Sequence, residues 1–238
     1  MTKDNRLEYK EFYRRNLPHI QPEDGIIFIT YRLHFQLPNK LINKIEKIKK
    51  TKSGNSFNVI DDYLDLCKEG PRHLSNREIS TMIMENLLKM NDKQYKLFCF
   101  CIMPNHVHVL LKPKLKYKNI PYSLAEIFRG HKGVTARQAN QILHRIGSFW
   151  QAESYDHYMR DDEEFYNLAW YILNNPVKAK LVQNILDWEF TWIDKDLEYE
   201  MGLDMMNGKR NSDTLVCAKR KAMRTPVQGE HDTKNGEK

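Results

Sequence analysis

Hydrophobic positions along the 238-residue chain change their period several times, and each change marks a predicted element. Residues 1–25 are polar, with little periodicity. "IIFITYRLHFQLP" (26–38) is β-branched and aromatic, ends at Pro38 and predicts a strand. "NKLINKIEKIKK" then spaces Leu41, Ile42, Ile45 and Ile48 at helical intervals. "NVIDDYLDLCKEGPRHL" predicts a second short helix, stopped at Gly70-Pro71. Ser75 or Asn76 can cap a helix whose apolar face carries Ile79, Met82, Ile83, Leu87 and Met90. "YKLFCFCI" (95–102) and "HVHVLLK" (106–112) predict two strands joined by the turn residues Met103-Pro104-Asn105. A long helix starts at Ser123 and is weakened by Gly130 and Gly133, by about 1 kcal/mol each relative to Ala. "SFWQAESYDHYMR" (148–160) reads as a strand or an irregular aromatic segment. "DDEEFYNLAWYILNN" is a helix with an acidic first turn, which Pro176 ends or follows with a new element.

The order β-α-β-β-α-β predicts an α+β fold, a ferredoxin-like sandwich with an antiparallel sheet and additional C-terminal helices. The domain reading is an N-terminal extension over 1–25, one domain over 26–204 with a helical insertion at about 39–75, and a tail over 205–238. The tail is polar and basic, with Lys209, Arg210, Lys219, Arg220, Lys221 and Arg224, and reads as disordered. There is no internal repeat.

Composition adds a partner class. The chain is 41% hydrophobic and 29% charged, ordinary for a soluble protein, and its net charge is +7. That balance favours a polyanion such as nucleic acid, although a generic solvated surface gives the same sign. No apolar run approaches the roughly 20 residues of a membrane span, and "MTKDNRLEYK" lacks a signal-peptide core, so a cytoplasmic location and no membrane partner are expected. Cys67, Cys99, Cys101 and Cys217 form no CxxC pair. Cys99 and Cys101 share a strand face and read as small core residues rather than zinc ligands.

The candidate chemistry sits in "IMPNHVHVLL" (102–111). His106 and His108 are two apart on a strand, so both project from one face, side by side. A lone histidine there would read as a satisfied core residue. A pair asks for two hydrogen-bond partners or a metal. A further ligand can come from the helix at 162–175, where Tyr171 and Asn175 lie one turn apart on the border of the stripe Phe165, Leu168, Ala169 and Ile172. Local sequence favours a different role for Asn175, as N-cap of a helix with Pro176 at its first position. Tyr171 equally reads as a half-buried tyrosine with its hydroxyl at the surface.

Three ordered stretches, "IMPNHVHVLL", "GSFWQAESYDHYMRDDEEF" (147–165) and "WYILNNPVKAKLV" (170–182), together with "GPRHL" (70–74) and the helix holding Lys132 and Thr135, resemble the single-tyrosine HUH transposases, and most of all the REP-associated tyrosine transposases. The likeness runs from about residue 26 to 192 and leaves the tail uncovered. It implies an enzyme that cuts and rejoins single-stranded DNA at hairpin-forming repeats through a 5′-phosphotyrosine, acting as a monomer or homodimer. Tyr171 takes the place of the nucleophile. His106, His108 and Asn175 take the places of the ligands to a divalent metal, Mg²⁺ or Mn²⁺. His157 and Lys132 are the candidates to assist the tyrosine, and the sequence does not decide between them. The basic residues of the tail are candidate phosphate contacts.

Three other readings compete. A binding module of the RNA-recognition type would stack bases on Phe98, Phe100 and Tyr31, but it lacks the RNP1 pattern and leaves the histidines unused. A metal-dependent hydrolase would use water and leave Tyr171 structural. A domesticated DNA-binding protein would keep the site without moving DNA.

Overall fold

The computed structural model describes residues 11–14, 18–21, 25–51, 56–67, 69–116 and 121–203. The basic tail residues from Lys209 to Arg224 lie outside them. The described chain divides into two compact units, up to Asp194 and from Lys195. The first opens with a two-stranded antiparallel hairpin, β1 (Glu11–Arg14) and β2 (Pro18–Gln21). There follow β3 (Ile27–Arg32), α1 (Asn39–Thr51), α2 (Ser56–Asp65), a 3₁₀ turn His73–Ser75, α3 (Arg77–Met90), β4 (Tyr95–Ile102), β5 (His106–Pro113), α4 (Leu124–Ile142), β6 (Tyr155–Tyr158), α5 (Asp162–Lys178) and β7 (Thr191–Ile193). The second unit holds the short α6 (Lys195–Glu200). No helix among the described residues is long and apolar enough to cross a membrane.

The main sheet runs β6-β3-β5-β4-β7, antiparallel throughout. Its first four strands have the ferredoxin-like order, so the predicted α+β fold is the one observed. The histidine strand β5 is central. Strand β7 extends the sheet beyond β4. It is only three residues long, too short for alternation to reveal it.

Period-two alternation divides the sheet into two faces. Ile27, Ile29 and Tyr31 of β3 pair with Leu111, Val109 and Val107 of β5. With Ile79, Ile83 and Leu87 of α3 and Ile127 and Phe128 of α4, they form the main core. Phe28 and Thr30 of β3, beside Leu110 and His108, face the other way. A bulge between Leu97 and Cys99 interrupts β4. It places Phe98 edge-on against Phe165 of α5, 5.1 Å between centroids, while Phe100 enters the main core. This geometry removes the base-stacking reading, because Tyr31 and Phe100 are buried and Phe98 points elsewhere.

Caps set the helix starts. Asn76 Oδ1 accepts from Glu78 N and Ile79 N, Ser123 and Glu126 form a capping box, and Asp161 accepts from Glu164 N. Gly70 has φ +83, and a Cβ there would lie 2.8 Å from the Phe35 ring, so the turn before α3 requires glycine. The expected stop at Pro176 is corrected. Helix α5 runs through it to Lys178, with Leu181 N donating to Pro176 O and Lys180 N to Val177 O, and Lys180 at φ +59. This Schellman closure satisfies the last carbonyls, while Pro176 forgoes only one ladder bond near the helix end.

One buried polar group in this core predicts a pH response. His131 of α4 has Nδ1 2.7 Å from Asn86 Oδ1 and Nε2 2.7 Å from Tyr31 Oη. Burial, reinforced by Lys132, pushes its pKa down to about 3. The folded value lies below the unfolded 6.5, so the unfolded chain binds the extra proton and stability falls as pH drops from 6.5 toward 3. At pH 5 this amounts to about 2 kcal/mol. Urea unfolding at pH 7 and pH 5 should show a correspondingly smaller loss in His131→Gln than in the parent.

Candidate active site

Strand β5 delivers His106 and His108 to the face opposite the main core, and both are fully buried. Their Nε2 atoms lie 2.8 Å apart. The other ring nitrogens are occupied. His106 Nδ1 is 2.6 Å from Asn105 Oδ1, and His108 Nδ1 is 2.8 Å from Thr30 Oγ1. Phe28 stacks on His108, 5.5 Å between centroids. These contacts fix both rings with Nε2 pointing at one spot.

Helix α5 contributes a stripe at i, i+4 and i+7: Tyr171, Asn175 and Lys178. Tyr171 sits 5.4 Å from the His108 ring, centroid to centroid. Asn175 is fully buried inside the helix, which overturns its reading as an N-cap. With its amide oriented to satisfy both neighbours, it donates to Asp65 Oδ1 at 2.9 Å and accepts from His108 Nε2 at 3.1 Å.

The third contributor was not singled out in the sequence. Helix α2 supplies Asp61 and Asp65, one turn apart and both buried. Asp65 Oδ1 lies 3.4 Å from His106 Nε2 and 3.3 Å from His108 Nε2, and its Oδ2 accepts from Lys178 Nζ at 3.0 Å. The Tyr171 hydroxyl donates to Asp61 and stands 3.0 Å from Asp65 Oδ2. A legible trace existed: two acids four apart on a helix, with the apolar Leu64 beside them. Acids in a charged insertion otherwise read as a solvated face.

The electrostatics follow from burying this many groups together. Burial opposes ionisation of Asp65, but hydrogen bonds from His106 and His108 prevail and hold it well below the usual carboxylate range. Burial pushes Asp61 up to about 6, against the opposing pull of His108. His106 falls to about 4 through burial and the neighbouring His108. His108 rises despite burial, because Asp61 and Asp65 favour its charged form. Burial and the two carboxylates push the Tyr171 phenol far up, so in this arrangement it is a neutral donor. The Asp65 bond raises Lys178.

The donor chemistry fits a divalent cation. One nitrogen of each histidine and one oxygen of Asp65 lie within 4.8 Å of one another. Asp61 Oδ1 is buried without a hydrogen-bond partner, 3.9 Å from His108 Nδ1. Two imidazoles, a carboxylate oxygen and an amide oxygen make a mixed nitrogen–oxygen set for a divalent ion, unlike the thiolate-rich sets of structural zinc. Cys99 and Cys101 are buried free thiols, and burial raises both.

Two expected assistants are not brought into this network. Lys132 lies across the sheet, its Nζ 6.0 Å from the Tyr31 ring centroid and bonded to Ala152 O and Ser154 Oγ, which excludes the assisting role in this arrangement. His157 shares the histidine face, opposite Phe28 in the ladder, but its Nε2 is 2.7 Å from Glu164, two turns before Tyr171 on α5. Tyr155 stands in the same cross-strand row as His108, two strands away or about 10 Å. Tyr158 is exposed, and Tyr166 packs edge-on against Phe165.

Comparison with known proteins gives this geometry relatives. The family described as "Transposase IS200 like" matches residues 70–175, from the turn before α3 to Asn175. A protein of Haemophilus influenzae that carries the name REP-associated tyrosine transposase is 28% identical over 112 residues, covering 45% of this chain and 64% of that protein. The chain thus matches just under two thirds of that relative's length. An uncharacterized protein of the same organism is 27% identical over 129 residues, covering 44% of this chain and 71% of its own. A solved structure described as "Structure of the REP associates tyrosine transposase bound to a REP hairpin" is 17% identical, covers 77% of this chain and 81% of that one, and has a TM-score of 0.40.

Removing the central carboxylate should unsettle the whole cluster. Asp65→Ala leaves His106, His108 and Lys178 without their shared acceptor, at a cost of about 3 kcal/mol. Urea unfolding at neutral pH measures it; a loss below about 1 kcal/mol would mean that the network does not hold α2 in place.

Proposed function

We propose, on the premise that residues 70–175 are those of an IS200-like transposase, that this chain cuts and rejoins single-stranded DNA at hairpin-forming repeats with Tyr171 as the nucleophile. The observation that carries the reading is the convergence of the Tyr171 hydroxyl, the two Nε2 atoms of the histidines and the Asn175 amide on one buried cluster. The name of the Haemophilus influenzae relative supports the repeat-associated substrate.

His106, His108 and Asn175 would hold the cation, with Asp65 as a further donor while α2 is docked. Bound there, a divalent ion draws charge from a phosphodiester's oxygens and makes the phosphorus a better electrophile. Asn105 and Thr30 keep the rings aimed. Tyr171 Oη attacks phosphorus as the P–O3′ bond breaks. The phenolic proton is released to water, and the departing 3′-oxygen takes up a proton from water and leaves as a hydroxyl. The 5′-phosphotyrosine keeps the bond energy, so a second 3′-hydroxyl can reverse the step and join a different strand. Lys178, 5.6 Å from the Tyr171 ring centroid, brings positive charge to the phosphate. With α2 docked, its carboxylates occupy the place an anionic phosphate needs, so DNA entry requires α2 to move.

Tyr171→Phe should bind a hairpin with near-parental affinity and form no covalent adduct, because only a hydroxyl is removed. Denaturing gels followed by peptide mapping test this, and DNA attached to any other tyrosine would refute the assignment. His106→Ala and His108→Ala should lose cleavage and keep binding, and EDTA should reproduce their effect on the parent. We assign the basic residues beyond 205 to sequence-independent phosphate contact. Truncation after Leu203 should flatten the dependence of log K on log salt by roughly 0.7 per lost contact on single strands.

A further inference from the structure

On the sheet face away from the histidines, between α4 and residues 147–156, lies a cavity of about 480 Å³. Phe128 and Trp150 supply aromatic wall, and Arg129, Lys132, Gly133 and Asp156 also line it. Lys132 is tied down by Ala152 O and Ser154 Oγ, and the Trp150 indole donates to Thr135 Oγ1 at 2.9 Å, so the wall is held in place. The volume falls within the roughly 300–1,000 Å³ of small-ligand sites.

Gly133 is the second observation. Mid-helix glycine costs about 1 kcal/mol relative to alanine. An ideal Cβ at Gly133 meets nothing within 4 Å, so packing among the described residues does not demand it. What the missing side chain does leave is open volume along the cavity. Gly130, one turn earlier, has equally open surroundings and does not line the cavity.

Position supplies the third. Strand β6 is one edge of the main sheet, with β7 at the other. Asp156 turns toward the cavity and pairs with Ile29, while Tyr155 and His157 stand on the tyrosine face opposite Thr30 and Phe28. From Tyr171 the cavity is reached by rounding this edge.

We propose that the cavity binds one unpaired nucleobase, bearing an exocyclic amine, of the same single strand that is cut at Tyr171. The proposal rests on the DNA-cleavage reading above and adds a specificity site to it. Aromatic walls suit the faces of any base. A carboxylate such as Asp156, with several lone pairs, accepts from an exocyclic amine, which thymine lacks. Arg129, exposed beside the cavity, suits the adjoining phosphate.

The test uses the four deoxynucleoside 5′-monophosphates, with the ¹⁵N-labelled Trp150 indole as reporter. At least one of dGMP, dAMP and dCMP should shift that resonance, and TMP should bind roughly tenfold more weakly. Gly130→Leu should behave as the parent, while Gly133→Leu, which fills the cavity, should lose the shift without loss of thermal stability. On a hairpin with single-stranded flanks, Gly133→Leu should raise KM and leave kcat alone. If Gly133→Leu does not fold, Gly133→Ala takes its place with a smaller effect of the same sign. Absence of any nucleotide shift, or parental nucleotide binding by Gly133→Leu, would overturn the cavity proposal. The titration needs no tyrosine chemistry. A missing Tyr171 adduct with nucleotide binding intact would therefore overturn the cleavage reading and leave base binding supported.

Discussion

The arrangement hangs on one buried carboxylate. Asp65 has no exposed surface, and a bare charge there would be prohibitively costly. It is tolerated because groups from two other elements converge on it: His106 and His108 from β5, and Asn175 and Lys178 from α5, with the Tyr171 hydroxyl 3.0 Å away. The same contacts hold the imidazoles together and keep α2 over them. Without Asp65, two nitrogens 2.8 Å apart would face each other around a single shared proton. The interaction that makes the site electrostatically possible is thus also the one that closes it.

Much of the fold could be read from the chain because its central strands are short β-branched and apolar runs bounded by turn residues. "IIFITYR" and "HVHVLLK" are legible as strands on that ground, and the shared face of His106 and His108 then follows from the two-residue period of any strand. Capping residues Asn76 and Ser123, and the acidic first turn after Asp161, gave usable helix starts. What escaped depends on tertiary context. The β4 bulge rotates Phe98 away from Phe100, and no residue in "YKLFCFCI" announces it. The hairpin at residues 11–21 lies in a stretch without periodicity. Pro176 is a reliable stop in isolation, yet α5 continues because burial of Asn175 and the Lys180 turn outweigh one lost hydrogen bond.

The site divides along similar lines. Tyr171 and Asn175 stood out as one turn apart beside an apolar stripe, although their site roles came from the family resemblance, and the histidines stood out because they sit two apart on a strand. Both are local relations. Asp61 and Asp65 belong to a segment whose purpose appears only when it is laid across the sheet. Lys178 lies past Pro176, beyond the point where the helix was expected to end. Lys132 fails in the opposite way. It belongs to a stretch that resembles a catalytic family, but α4 packs on the far side of the sheet.

Helix α2 is inserted in the crossover between β3 and α3, and its contact with the nucleophile spans 110 residues of chain. A contact of that range must close a long loop, and it gains nothing until both ends are ordered. The β4–β5 hairpin at the centre of the sheet can form without it, from nearer neighbours. In the native state α2 stands outside the strand ladder, so lifting it leaves the five strands paired. Access to the tyrosine is then governed by a local equilibrium rather than by the stability of the domain.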